Sequence, residues 1–105
     1  MAGAVLSVAI VGVAAAMTVG LASVGAAATF AQRLAGTADA AALAAADAAA
    51  GAASGDPCDR ADEIAGQASA IVTACDVADL IVTITVSAPF GPFAAMVSAR
   101  AGPPP

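Results

Sequence analysis

No charged side chain occurs before Arg33, and between Ala2 and Gln32 the only polar side chains are Ser7, Thr18, Ser23 and Thr29. At ~1.5 Å of rise per residue, a helix over this stretch exceeds a ~30 Å hydrocarbon core. Val5, Leu6, Val8, Ile10, Val11, Val13, Met17, Val19, Leu21 and Val24 are its bulky apolar residues. Such a segment is either a transmembrane anchor or a cleavable signal peptide, and Ala26-x-Ala28 supplies the small residues that cleavage needs. Against cleavage, no Lys or Arg precedes the apolar run, and the run is longer than a usual signal-peptide core. The helical pattern also continues: Ala-rich sequence with Leu34, Asp39, Leu43 and Asp47 reaches about Ala50, and no proline occurs before Pro57. Alanine is the strongest helix former, so one helix running from the membrane into solvent is the simplest expectation. Residues 1–32 are therefore read as a transmembrane helix or signal anchor and 33–53 as a helical stalk, with release near Ala28 as the alternative. Within the span, Gly12, Ala16 and Gly20 recur every four residues, a spacing that lets a second membrane helix approach closely. In so Ala- and Gly-rich a segment the same spacing also arises by chance.

The rest of the chain has little with which to build a core. Hydrophobic content is 61%, but aromatic content is 3% and alanine carries most of the remainder. Alanine buries little area against a backbone entropy cost of ~1–2 kcal/mol per ordered residue. A small head of this composition needs a membrane, a cross-link or a neighbouring subunit. Cys58 and Cys75, the two cysteines, both follow the apolar segment. They suggest a disulfide formed in an oxidising compartment, worth ~3 kcal/mol for a loop of this length. Two reduced, inert thiols are the alternative. The cysteine pair favours a cytoplasmic N-terminus with the head outside, whereas Arg33 directly after the span favours the opposite orientation mildly.

The head, residues 54–105, is predicted to be α+β. Gly51 to Gly55 breaks the long helix, Asp56 suits an N-cap, and Pro57 suits the first helical position. A short helix to about Ser69 follows, with Ala61, Ile64, Ala65 and Ala68 on its apolar face. The carboxylates at its start (Asp56, Asp59, Asp62 and Glu63) suit the positive end of a helix dipole. A calcium site is the alternative, although the alternating Asp spacing of an EF-hand is missing. From Ala70 the composition turns β-branched. One strand is expected from Ile71 to Asp76 and a second from Leu80 to Ser87, with Leu80, Val82, Ile84 and Val86 on one face. Val77-Ala78-Asp79 would connect them as an antiparallel hairpin covered by the short helix. Pro89 and Pro92 should end the second strand, Phe90 and Phe93 should cap the core, and Ala94 to Ala99 reads as a third strand or a helical turn, the strand preferred. The Gly102-Pro103-Pro104-Pro105 tail should be extended or disordered.

Reaction chemistry is sparse. With no histidine, no G-x-S-x-G elbow, no Walker A loop and no G-x-G-x-x-G, the common catalytic and phosphate-binding arrangements are missing. The expectation is a non-enzyme without cofactor, metal or small-molecule substrate. A net charge of −5, with Arg33, Arg60 and Arg100 as isolated cations, argues against nucleic acid as a partner, whereas the apolar segment makes membrane lipid an expected one.

The run Gln32-Arg33-Leu34-Ala35-Gly36-Thr37-Ala38-Asp39-Ala40-Ala41-Ala42-Leu43-Ala44-Ala45-Ala46 after an apolar helix resembles the R-x-x-A-D-x-A-A-L-A-A-A run of TadE/TadG-like pilus-assembly proteins. The remainder is similar to the short actinobacterial branch of that family. Cys58 opens a short helix, Cys75 sits in a strand, Val82-Thr83-Ile84-Thr85-Val86 follows, and Ala99-Arg100-Ala101-Gly102-Pro103 closes the chain. The resemblance covers nearly the whole chain through motifs of low complexity, and their order carries it. It implies a pilin-like or accessory component of a tight-adherence (Flp-type) pilus or a related secretion machine, with pilus or secretion-system membrane proteins as partners. The chain departs from the family in having no charged residue before the span and no acidic residue before Asp39. It therefore lacks the early glutamate of pilin-like members.

Overall fold

The computed structural model describes residues 1–104; Pro105, the end of the Pro-rich tail, lies outside the described residues. Two helices precede three strands: α1 (Ala2–Ala49), α2 (Pro57–Gln67), β1 (Ile71–Ala78), β2 (Ile81–Phe90) and β3 (Phe93–Ala101). The strands form one antiparallel sheet in the order β1-β2-β3. The α+β class and the long helix leading into a small helix and hairpin are as expected, and the third segment is a strand. The chain divides into two compact units, Met1–Phe30 and Ala31–Pro105.

The first unit is helix with every residue from Met1 to Thr29 exposed. It is long and apolar enough to cross a membrane, a criterion that an N-terminal signal sequence also meets.

In the second unit, the helix ends show why the breaks fall where they do. At the end of α1, the Ala52 N–H donates to the Asp47 carbonyl at 2.9 Å and the Gly51 N–H to the Ala48 carbonyl at 3.2 Å, a Schellman motif. Gly51 takes its left-handed position at φ 79°. At α2 the Asp56 carboxylate accepts the N–H groups of Cys58 at 2.9 Å and Asp59 at 3.3 Å, and Pro57 occupies the first turn. A second Schellman motif closes α2, with Ala70 N–H on the Ala65 carbonyl and Ser69 N–H on that of Gly66. Helix α2 therefore stops at Gln67, slightly before the expected Ser69.

The core has two sides. On the sheet it is Val82, Ile84, Val86 and Ala88 of β2. On the helices it is Leu34, Ala38, Ala41, Ala42, Ala45 and Ala46 of α1 with Ala61 and Ala65 of α2. The solvated stalk expected over 33–53 is thus corrected. Its inner stripe is as buried as the sheet, and α1 shares with α2 the covering role expected of α2 alone. Alanine therefore serves as core here: Ala38, Ala41, Ala42 and Ala45 are fully buried.

Strand boundaries also differ from expectation. The β1–β2 connection is Asp79-Leu80, with Ala78 paired to Ile81. Asp79 sits at φ 55°, which Asp tolerates better than most residues. Leu80 is therefore in the turn and 44% exposed instead of facing the core. Pro89 does not end β2, because β1 begins opposite Ser87 and nothing pairs with Pro89 on that side. Phe90 and Phe93 do not cap the core. They pair with each other at the β2–β3 turn, where Phe93 is 72% exposed. Gly91 alone of the two turn residues has positive φ, 59°, which fits a type II′ hairpin with Pro92 second.

Candidate functional site

The feature that sets this chain apart is its apolar helix, and the polar atoms in it are satisfied internally. Ser7, Thr18, Ser23 and Thr29 donate their hydroxyls to the backbone carbonyls of Gly3, Ala14, Val19 and Gly25, one turn earlier, at 2.8 to 2.9 Å. An unsatisfied polar group in hydrocarbon costs several kcal/mol, so these four bonds make the segment compatible with lipid on all sides. Gly12, Ala16 and Gly20 lie on one face of this helix and are exposed. A Cβ added at Gly12 or Gly20 would meet nothing within 4 Å. The face is open and has the small side chains that close helix packing requires.

The second feature is the disulfide. Cys58 and Cys75 are bonded, with Cα atoms 6.0 Å apart. Cys58 sits in the first turn of α2 beside the Asp56 cap, so the cap fixes the helix end that carries it. The position of Cys75 depends on a bulge in β1. The register shifts between Val72 and Ala74, leaving Thr73 as the extra residue, with its hydroxyl 3.4 Å from the Thr85 carbonyl. Beyond the bulge Cys75 pairs with Ile84 and Val77 with Val82, so both join Val72 on the core face. Strict alternation from Val72 would have put Cys75 on the other face, away from the buried Ile84. The bulge was not legible in the sequence; three β-strand residues in a row carry no mark of which one is extra.

The outer face of the sheet is polar over Thr83, Thr85 and Ser98, with Thr85 and Ser98 hydroxyls bonded at 2.7 Å and Asp76 and Arg100 both pairing with Thr83 from opposite sides; exposed Ile71 and Met96 flank Ser87 on the same face. The carboxylates are spread over exposed positions of α1, α2, β1 and the β1–β2 turn. Among the described residues, no three His, Cys, Asp or Glu side chains gather closely enough to hold a metal ion. The Asp56, Asp59, Asp62 and Glu63 group instead serves α2: Asp56 caps it and Glu63 pairs with Arg60 at 2.8 Å.

No family model, no curated protein and no solved structure matches this chain.

Proposed function

We propose that this chain is a non-enzymatic, single-pass membrane protein whose disulfide-bonded head stands outside the cytoplasm, acting as a pilin-like or accessory component of a Flp/Tad-type pilus or related secretion machine. The observation that carries the membrane part is the apolar helix from Ala2 to Thr29, exposed throughout and with each hydroxyl bonded to its own backbone. The Cys58–Cys75 bond supports a head in an oxidising compartment. The pilus assignment rests on the sequence resemblance of residues 32–46 and of the ordered motifs after them. Gly12, Ala16 and Gly20 are the face on which a second membrane helix would pack.

One observation favours a second reading. Ala31–Pro105 is a compact unit by itself, so cleavage after Ala28 would release an intact soluble module. Mass spectrometry of the mature protein separates the two. The anchor reading expects the apolar segment to be retained in the membrane fraction; a mature N-terminus at Thr29 in the soluble fraction would replace it with the secreted module.

A further inference from the structure

From Ala88 to Val97 the chain reads Ala-Pro-Phe-Gly-Pro-Phe-Ala-Ala-Met-Val, without a polar side chain. Ala88 is buried and Ala95 and Val97 are half-buried, but the fold leaves the rest of this run exposed. Because β1 begins opposite Ser87, the pairs Ala88–Ala95, Pro89–Ala94 and Phe90–Phe93 extend past the edge strand as a two-stranded ribbon. Phe93 is 72% exposed near its tip and Met96 62% exposed at its base, on the opposite face. An uncharged, projecting ribbon with large apolar side chains on both faces is not what a watery surface selects.

Its place in the Ala31–Pro105 unit says what covers it. Ala46 shares a surface hollow with Leu80, Gly102 and Pro103, so the β1–β2 turn lies at the C-terminal end of α1. From Leu34 to Ala46 the buried stripe is ~18 Å of helix, and from Val82 to Ala88 the buried face of β2 is ~20 Å of strand. The two match in length, so a helix laid along β2 with those ends together has Leu34 at the Ala88 end. The ribbon therefore projects at the end of the unit where the chain enters from its apolar segment. The nearest charged residue to Leu34 along α1 is Arg33, a side chain that can bury its stem in apolar surroundings and keep its charge at lipid phosphates.

We infer that the β2–β3 ribbon is a lipid-binding wedge, with Phe93 and Met96 inserted at the boundary between headgroups and acyl chains of the membrane that α1 crosses. The inference rests on the anchor reading above and adds a second lipid contact, made by the head. Two contacts would fix the head's tilt on the bilayer, which a single helix leaves free.

The chain contains no tryptophan or tyrosine, so one substituted tryptophan is the sole strong fluorophore. Full-length Phe93→Trp, Met96→Trp, Val13→Trp and Leu80→Trp proteins would be reconstituted separately in phosphatidylcholine/phosphatidylglycerol vesicles with and without brominated acyl chains. Val13→Trp reports the span, and Leu80→Trp reports the far end of the head. The expected result is blue-shifted emission and bromolipid quenching at positions 93 and 96, shallower than at 13, with position 80 quenched only by aqueous iodide. Quenching at 13 but iodide access at 93 and 96 would overturn the wedge and leave the anchor standing. No bromolipid quenching at 13, 93 or 96 would overturn both. Shielding of 93 and 96 from iodide without bromolipid quenching would show that protein covers the ribbon, and would also overturn the wedge.

Discussion

Reducing the Cys58–Cys75 bond is expected to cost the Ala31–Pro105 unit about 3 kcal/mol, a large share of the stability available to so small a fold. The bond closes a loop of sequence separation 17 and ties the capped start of α2 to the central row of the sheet, where Cys75 pairs with Ile84. Without it α2 rests on small side chains, Ala61 and Ala65, whose burial contributes little against the entropy of ordering the helix. Cys58→Ser should be as harmful as Cys58→Ser with Cys75→Ser, because either change breaks the same bond. For a unit of this size the loss corresponds to a fall in melting temperature on the order of 10–20 °C, read by circular dichroism of oxidised and reduced protein in detergent. Equal melting temperatures would show that packing alone holds α2 in place.

A comparable loss, about 3–5 kcal/mol, is expected from Ala42→Asp, which places an unpaired carboxylate in the core. Ala42 is fully buried, whereas Ala40, two residues earlier on the same helix, is exposed. Ala40→Asp should cost no more than the ~0.7 kcal/mol difference in helix propensity. The contrast separates a helix that forms half of the head's core from a stalk that stands in water, since a stalk would respond alike to both changes. The same melting experiment reads it.

That contrast also shows where the sequence was silent. In β2, alternation of Val82, Ile84 and Val86 with Thr83 and Thr85 marks the buried face plainly, because the two faces differ in polarity. In α1 between residues 34 and 50, alanine occupies buried and exposed positions alike, so identity cannot tell Ala42 from Ala40; only Asp39 and Asp47 mark the wet side. The α2 start was legible because Asp56 and Pro57 each have a positional preference with a physical cause. The hairpin turn lies later than the sequence suggests because Val77 and Ala78 carry no signal for or against pairing, while Asp79 can serve either as last loop residue or as first. Prolines read as strand stops failed at Pro89 because a missing N–H matters only where a neighbouring strand would use it, and β1 has already ended there. The cysteine pairing followed from the count of two; the bulge at Thr73 that brings Cys75 onto the core face did not.

The most direct test of the membrane-anchored reading is topology in intact cells. The full chain, with Cys58→Ser and Cys75→Ser and a single new cysteine in place of the exposed Leu80, is exposed to a membrane-impermeant maleimide before and after lysis. A head outside the cytoplasm on a retained anchor expects full labelling in intact cells, with the labelled protein in the membrane fraction. Labelling that appears only after lysis would place the head in the cytoplasm and contradict it.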